Sequence, residues 1–318
     1  MLRSWLRRQF WIRNLYYNII ASPWLNRFPL YRRLLMKRVR HADQTVPVPS
    51  GLSIELTTIC DAKCSFCPND RLKSSTMDLE LFKRIARQAR ELGVRYLTLT
   101  GVGETLLDKR LFERLEFLKE LDFERISFFT NGSRMTEEKA RALLDTPVTH
   151  VLFSIDSVDP QRYYDIRKLE FDAVDTNLRR FSAIVSGRIH VAVTSVHEEG
   201  GDLSELKKIY QRYGETGTVD LVTFVKAHNW AEGKARDLGE IPCDYLWHNM
   251  FVRTDGRMAL CCLDWESGEI LGDLTREPLA EVIQGALRRV KQLHLEGRKN
   301  DIPLCAHCTH IPDWWVNR

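Results

Sequence analysis

Short apolar segments alternate with longer amphipathic segments through the middle of the chain. The apolar segments are rich in Val, Ile, Leu and Phe, as buried parallel strands are, and cover residues 52–59, 95–101, 125–131, 149–156, 188–196 and 218–226. Helical periodicity covers residues 78–92, 108–121, 136–145, 160–186 and 202–213. This alternation predicts an α/β fold with a parallel sheet and right-handed crossovers. It does not separate a partial barrel from an open, doubly wound sheet.

The pattern changes on both sides of this α/β segment. After about residue 235, the dipeptide Asp255-Gly256 between two apolar runs predicts a β-hairpin, and a helix is predicted over residues 278–296. The stretch Pro47-Val48-Pro49 is typical of a linker. We therefore divide the chain into an N-terminal arm (1–46), an α/β core (47–235) and a small C-terminal α+β domain (236–318).

The N-terminal arm carries an unusual charge. The chain of 318 residues has a net charge of +4, yet residues 1–40 hold ten Lys or Arg and no Asp or Glu, interleaved with aromatic residues. We favour an amphipathic segment at a membrane surface, and a helical pair packed on the core is the alternative. Nucleic-acid binding is disfavoured, because a basic aromatic arm alone is not a recognised binding fold.

The rest of the composition indicates where the protein works. No apolar run approaches the ~20 residues that a membrane-spanning helix needs. Eight cysteines without a recognisable secretion signal favour the reducing cytoplasm, with thiols used as metal ligands. We expect a cytoplasmic protein with peripheral contact at the inner membrane face.

Three cysteines follow the first predicted strand with the spacing C-x3-C-x2-C, at Cys60, Cys64 and Cys67. Three soft thiolates on one loop suit an iron–sulfur cluster, and three ligands on a four-iron cluster leave one iron open. A zinc site usually shows two C-x2-C pairs, and a disulfide framework suits short secreted chains. Both are therefore less favoured.

This motif, with Phe66 before the third cysteine, resembles that of the radical S-adenosylmethionine (SAM) enzymes. The resemblance implies a partial (β/α)6 barrel similar to a TIM barrel, with a [4Fe-4S] cluster whose open iron binds SAM. Reductive cleavage of SAM then gives a 5′-deoxyadenosyl radical that abstracts a substrate hydrogen atom. A flavodoxin- or ferredoxin-type electron donor is implied. A non-enzymatic iron–sulfur electron carrier or scaffold remains the alternative of another class.

The same resemblance implies a set of SAM contacts at the carboxyl ends of the strands. The family's Gly-Gly-Glu-Pro motif is replaced here by Gly101-Val-Gly103-Glu104-Thr, with Glu104 facing the SAM amino group. Arg167 matches an arginine that binds the SAM carboxylate, although the family's Arg-x-Gly reads Arg-Lys-Leu here. The remaining implied contacts are Phe66, Thr130, Asn131, Ser154, Asp156 and Ser195. Asp156 could equally cap the next helix.

A second cysteine set lies in the C-terminal part. Cys243 and Cys261 have the spacing C-x12-G-x4-C, and Cys305 and Cys308 form C-x2-C. The set resembles the auxiliary-cluster extension of radical SAM enzymes, SPASM or its shorter form Twitch, and so implies a second [4Fe-4S] cluster. Zinc bound by the same four residues is the alternative. We interpret Cys262 as a buried neighbour of Cys261.

The two cysteine sets together favour an oxidation. A fully ligated auxiliary cluster can take one electron from a substrate radical. The organisation most resembles 2-deoxy-scyllo-inosamine dehydrogenase, which implies a radical SAM oxidoreductase acting on a sugar, an aminocyclitol or a lipid-linked alcohol. A maturase that cross-links a ribosomal peptide is the alternative. His228 and His197 are candidate acid–base groups near the substrate.

Overall fold

The computed structural model describes residues 28–197, 203–227, 230, 241–266 and 268–308. Within them, nine strands form one sheet in the order β6-β5-β4-β3-β2-β1-β7-β8-β9. Their bounds are Gly51–Ile54 (β1), Tyr96–Leu99 (β2), Arg125–Thr130 (β3), His150–Ser154 (β4), His190–His197 (β5), Leu221–Lys226 (β6), Asn249–Val252 (β7), Arg257–Ala259 (β8) and Ile270–Asp273 (β9).

The six strands predicted for the core are all present. Each pairs in parallel with its sequence neighbour, from β1 on β2 to β5 on β6. Strand β1 is shorter than predicted and ends at Ile54. Beyond it the chain pairs Thr57 with Thr76 and so turns away towards the loop that carries Cys60. The prediction of a parallel α/β sheet is confirmed.

The C-terminal part continues the core sheet. Strand β7 is parallel to β1, with Leu52 opposite Met250, and β8 and β9 add antiparallel strands. The predicted hairpin turns at Gly256, whose φ of +85° is a conformation that glycine adopts without strain. The sequence did not predict that this hairpin would share a sheet with the barrel.

Helices connect the strands on one side of the sheet. Their bounds are Pro29–Thr45 (α1), Leu79–Glu91 (α2), Leu111–Leu118 (α3), Glu137–Leu143 (α4), Pro160–Arg167 (α5), Phe171–Val185 (α6), Leu203–Ile209 (α7), Tyr245–His248 (α8), Leu279–Val282 (α9), Arg288–Leu295 (α10) and Pro303–Ala306 (α11). The single helix predicted over residues 160–186 is two helices, because Lys168 has a φ of +56° that ends α5. The helix predicted over 278–296 contains a π-helical turn, Ile283–Leu287.

The two sides of the sheet differ in polarity. Phe153 on β4 packs on Phe181 of α6, with ring centroids 5.5 Å apart, so this side faces the helices. The opposite side, which is the lumen of a partial barrel, carries hydroxyl pairs such as Thr98 with Ser127, 3.0 Å apart. Since side chains alternate along a strand, the helix side forms the apolar core, whereas the lumen carries these hydroxyls together with apolar side chains such as Phe129 and Leu152.

Helix α1 belongs to the packed core. Leu35 and Val39 are buried in the hydrophobic cluster, and Asp43 accepts a hydrogen bond from Trp247 Nε1 at 3.0 Å. Pro29 occupies the first turn of α1, where proline is tolerated. The predicted arm of residues 1–46 thus includes a helix that packs as the alternative interpretation proposed, and residues 1–27 lie outside the described part.

Candidate active site

The loop that carries Cys60, Cys64 and Cys67 leaves the carboxyl end of β1. Backbone N–H groups of Lys63 and Ser65 donate to carbonyls at the end of α5, at 3.0 and 2.8 Å. Asn69 Nδ2 donates to the carbonyls of Thr58 and Val102, at 2.7 and 2.9 Å, and so joins the loop to the turn after β2. These bonds fix the loop from both sides.

The three thiols of this loop are free and partly buried. Burial raises the pKa of Cys60 to about 12 and that of Cys67 to about 11. Burial also raises the pKa of Cys64, against the opposing charge of Arg167. Unliganded thiols here hold their protons, which metal binding would displace.

A cavity of about 510 Å³ opens over these cysteines. The three cysteines, Phe66 and Trp230 are among the residues that line it. The indole Nε1 of Trp230 donates to the Phe66 carbonyl at 2.6 Å, so the two aromatic residues are joined directly. The volume lies within the range of ligand pockets. Three convergent thiols and this space fit a cluster with a bound small molecule.

The glycine turn after β2 is packed against β1. A Cβ on Gly103 would lie 2.0 Å from the Thr57 carbonyl oxygen, and one on Gly101 would lie 2.5 Å from the Glu55 side chain. Only glycine therefore fits either position as built. Close approach of the Thr57 backbone explains Gly103, and the packed Glu55 side chain explains Gly101. Contact of this turn with SAM stays a prediction.

Glu104 is buried, and both of its carboxylate oxygens accept hydrogen bonds from the protein. Its Oε1 accepts hydrogen bonds from Thr130 Oγ1 at 2.7 Å and from the Leu106 N–H at 3.0 Å, and its Oε2 accepts from the Asn131 N–H at 2.7 Å. Burial raises its pKa, against these bonds. Its carboxylate thus joins the turn after β2 to the end of β3. Contact with the SAM amino group stays a prediction.

Asn131 and Asp156 form hydrogen bonds that connect the strand ends to the cysteine loop and to α5. Asn131 Nδ2 donates to Asp61 Oδ1 at 2.9 Å and lies 4.0 Å from Cys60 Sγ. Asp156 accepts from the Val196 N–H at 2.8 Å and from Arg167 Nε at 2.7 Å. The suggested helix cap is instead Asp159, which accepts from the Arg162 N–H at 2.8 Å. Asp156 therefore orients an arginine and does not cap α5.

Arg167 connects this carboxylate to the cysteine loop. Its Nη1 lies 3.7 Å from Cys64 Sγ, and its guanidinium is 5.7 Å from the centre of the Phe66 ring. The pKa of the arginine is raised, against burial, by Asp156 and Cys64. Such a group is suited to bind a carboxylate beside the cluster.

The predicted SAM contacts Ser154 and Ser195 lie on opposite sides of the sheet. Ser154 is half-buried at the end of β4, opposite Thr194 of β5. Ser195 is fully buried and has the parity of Val193, which lies opposite Phe153 on the helix side. The lumen at β5 is therefore bordered by Thr194. A serine and a threonine side by side in sequence gave no signal of which one faces inward.

Sequence reasoning missed two buried polar side chains near this site. Glu55, on the lumen side at the end of β1, accepts from the Val102 N–H at 3.1 Å, and burial raises its pKa. Tyr163 on α5 is fully buried, and its hydroxyl has no hydrogen-bond partner in the described residues. The available sequence signal was Glu55 itself, a carboxylate inside an apolar segment predicted to be a buried strand. Glutamate is rarely buried without a partner.

The second cysteine set also converges. Burial, assisted by the charge of the Cys308 thiol, raises the pKa of Cys305 to about 12. Burial is also the main cause that raises the pKa of Cys243 and of Cys261, and the charges of Asp244 and of neighbouring thiols add to it. None of the described cysteines forms a disulfide. The Cys243 N–H donates to Nδ1 of buried His294 at 3.2 Å. In the described residues, no group of three or more Cys, His, Asp or Glu side chains is arranged to hold a single metal ion.

The prediction for Cys262 is wrong. It was interpreted as buried, but it is exposed. The turn that follows β8 directs the two adjacent side chains differently, and the Tyr245 hydroxyl forms a hydrogen bond with the Cys262 thiol. His228 lies outside the described residues. His197 ends β5 with its ring 6.5 Å from that of Phe224.

Comparison with known proteins agrees with this geometry. Residues 54–213, half of the chain, match the radical SAM superfamily, and residues 243–309 match SPASM, an iron–sulfur cluster-binding domain. The chain therefore belongs to the radical SAM superfamily. The two cysteine sets fall one in each match, so [4Fe-4S] clusters and SAM are its cofactors, and its organisation is that of a radical SAM enzyme with a SPASM domain.

Curated relatives are similar over part of their length. GTP 3′,8-cyclase of Desulforamulus reducens is 28% identical over 198 residues, which is 57% of this chain and 58% of the relative. The probable GTP 3′,8-cyclase of Archaeoglobus fulgidus is 35% identical over 123 residues, 38% of this chain and 40% of the relative. The chain thus spans little more than half of the first of these relatives and less of the second.

Solved structures share the fold. BtrN in complex with AdoMet and 2-DOIA has a TM-score of 0.56 at 16% identity, covering 83% of this chain and 94% of that one. SuiB of Streptococcus suis bound to S-adenosylmethionine has a TM-score of 0.61 at 15% identity, covering 81% and 71%. In the described residues, no helix is long and apolar enough to cross a bilayer.

Proposed function

We propose that the chain is a radical SAM oxidoreductase that dehydrogenates an alcohol on a polar or lipid-linked substrate. The observation that carries this proposal is the convergence of Cys243, Cys261, Cys305 and Cys308, an extra thiol set joined to the barrel through β7. When bound, the cofactors supply a complete dehydrogenation, with the C–H hydrogen atom passing to 5′-deoxyadenosyl, the remaining electron to the auxiliary cluster and the hydroxyl proton to water.

The chain's own residues hold and orient these groups. Cys60, Cys64 and Cys67 would hold the SAM-binding cluster, and the four C-terminal cysteines the auxiliary one. Arg167, oriented by Asp156, presents positive charge for a SAM carboxylate. Phe66 and Trp230 cover the loop and limit the access of water to the reacting atoms.

The experiment is anaerobic turnover of reconstituted protein with SAM and a strong reductant, alone and with polar, peptide and lipid fractions. We expect 5′-deoxyadenosine from the wild type and none from Cys60→Ala. Cys243→Ala should still cleave SAM but lose the oxidised product. Cys262→Ser is the matched control, because its thiol is exposed and outside the proposed set. An oxidised product that survives Cys243→Ala would contradict the proposal. A flavodoxin- or ferredoxin-type protein should replace the chemical reductant.

A second candidate is ring formation on a nucleotide. It is favoured by the similarity to GTP 3′,8-cyclase over 198 residues. A cross-linking activity on a ribosomal peptide is a third, since SuiB has also been solved bound to the precursor peptide SuiA. The fraction that accelerates 5′-deoxyadenosine formation distinguishes them: the polar fraction for alcohols and nucleotides, the peptide fraction for a maturase. Product mass then separates loss of two hydrogens from cyclisation.

We further propose that the N-terminal region contacts an anionic membrane surface. Leu30 and Leu34 are exposed on one side of α1, at 69% and 51%, beside exposed Arg33 and Lys37. Such a basic, partly apolar face suits the bilayer interface. Leu30→Gln/Leu34→Gln should reduce flotation with anionic liposomes. Leu203→Gln, which changes a leucine 52% exposed on α7, is the control. Equal flotation of all three proteins would contradict the proposal.

A further inference from the structure

A second cavity lies at the amino ends of the strands, whereas the cysteine loop lies at their carboxyl ends. Gly51, Tyr96, Arg125 and Asn249 begin strands β1, β2, β3 and β7, and all four line a space of about 890 Å³. The chain between α1 and β1 forms another wall. We call this space the floor cavity. Its volume is in the upper part of the range for small-molecule sites.

Two arginines dominate the charge of the floor cavity. The guanidinium groups of Arg95 and Arg125 lie 4.9 and 4.6 Å from the centre of the same ring, Tyr96. Arg95 has one ion pair, to Glu124 at 3.5 Å, and both partners are about half exposed, so it neutralises little. Arg125 makes no ion pair with a carboxylate of the described chain. Two cations that contact one ring repel each other, and an anion bound by both would relieve that repulsion.

The surroundings do not cancel this charge. Asp244 is the only acidic residue in the described wall, and it is almost fully buried. Nearby, His150 and His190 stack with centroids 4.9 Å apart at the amino ends of β4 and β5. Burial, together with the charges of His190 and Arg125 and against Asp220, lowers the pKa of His150 to about 4. The charge of Arg125 therefore also acts on the amino end of β4.

Polar groups link the floor cavity to the lumen and to Cys262, the sequence neighbour of Cys261. Asn249 Nδ2 donates to Ser53 Oγ at 2.8 Å and to the Tyr245 hydroxyl at 3.1 Å. The Tyr245 hydroxyl in turn bonds the Cys262 thiol. A ligand held in the floor cavity would therefore lie beside Tyr245 and Asn249, with the Thr98 hydroxyl on the lumen side.

We propose that the floor cavity binds a phosphate or diphosphate group of an organic ligand, through Arg95 and Arg125. A guanidinium presents two parallel N–H donors that match phosphate oxygens, and two such groups suit a diphosphate. Identifying this ligand as the substrate rests on the proposed function, whereas anion binding does not. The substrate class would then be a phosphorylated alcohol, as a soluble sugar phosphate or nucleotide or as a lipid-borne phosphate.

The test is calorimetric titration of the full chain, with both clusters reconstituted, using inorganic pyrophosphate as the probe. We expect saturable binding by the wild type and an affinity at least about tenfold lower in Arg125→Met and in Arg95→Met. Arg87→Met is the matched control, because Arg87 is also exposed and stacks 5.2 Å over a ring, Phe117, but lies outside the cavity wall. Iron content and melting temperature confirm that each variant is folded.

Two competitors identify the source of the phosphate. Displacement of pyrophosphate by a soluble nucleoside diphosphate supports a soluble ligand, and displacement by phosphatidate vesicles, but not by phosphatidylcholine vesicles, supports a lipid-borne one. Absence of saturable binding in the wild type, or unchanged affinity in Arg125→Met, overturns the site. Since the titration needs neither SAM nor reductant, failure of alcohol oxidation with intact pyrophosphate binding would refute only the proposed function.

Discussion

Glu55 and Arg253 face each other where the barrel meets the C-terminal hairpin, with Oε2 of the glutamate 3.8 Å from Nη2 of the arginine. Both side chains are almost fully buried. Glu55 also accepts from Val102 in the glycine turn, and Arg253 Nη1 donates to the carbonyls of Asp264 and Trp265, at 2.8 and 2.6 Å. One ion pair thus connects the turn beside the first cysteine set to the loop that follows Cys261 and Cys262.

Glu55→Gln should destabilise the protein strongly. Removing one charge leaves Arg253 buried and uncompensated, which costs roughly 3 kcal/mol of unfolding free energy. Urea denaturation measures the loss, and Glu55→Gln/Arg253→Gln should recover part of it. The control is Glu137→Gln, which breaks the exposed pair between Glu137 and Arg141, and should cost less than about 1 kcal/mol. Equal losses in Glu55→Gln and Glu137→Gln would show that the buried pair contributes nothing special.

Arg167→Lys should preserve the cluster but weaken SAM binding. Lysine keeps the charge but cannot contact Asp156 and Cys64 with two nitrogens of one planar group, as arginine does. We expect unchanged iron content, at least about tenfold slower 5′-deoxyadenosine formation, and an altered electron paramagnetic resonance signal of the reduced cluster on adding SAM. Arg141→Lys, on the exposed face of α4, should leave all three unchanged. A normal SAM-induced signal in Arg167→Lys would refute this role.

Gly103→Ala should abolish SAM binding. The added Cβ would meet backbone, 2.0 Å from the Thr57 carbonyl oxygen, so the turn after β2 must move. Gly285→Ala is the matched control, because nothing lies within 4 Å of its Cβ. That substitution, in a helical segment, should stabilise the protein by about 0.5–1 kcal/mol. SAM affinity from equilibrium dialysis and melting temperature are the measurements. Retained SAM affinity in Gly103→Ala would show that the turn can adjust without loss.

Acid should destabilise the fold through His150. Because burial lowers its pKa from 6.5 to about 4, the folded state favours the neutral ring, whereas the unfolded chain takes up a proton below pH 6.5. Its stabilising contribution is present above pH 6.5 and is lost as the pH falls towards 4, by about 2 kcal/mol once the shift is discounted for solvent screening of this half-buried ring. Urea denaturation at pH 7, 6 and 5 should therefore show a shallower decline in His150→Gln than in the wild type. A change at exposed His41 to Gln should leave the slope unaltered; equal slopes in all three would contradict the assignment.

The sequence by itself determined the order of elements and the chemistry of the first site. Six apolar segments became six parallel strands because each buries an apolar side against the connecting helices. The spacing of Cys60, Cys64 and Cys67 and the two glycines of the turn are local features, so their neighbours in sequence suffice to predict them. Element ends were less accurate, as at Lys168, where a single left-handed residue divides one predicted helix into two.

Only the tertiary structure decided which side chains meet. The contact of Glu55 with Arg253 joins residues almost two hundred positions apart, and it depends on β7 adding in parallel to β1. The inward position of Thr194 instead of Ser195 and the stacking of Arg125 on Tyr96 follow from strand register. The exposure of Cys262 follows from the turn after β8. Register is fixed by packing across the whole sheet, and a one-residue change reverses which side chains face the lumen.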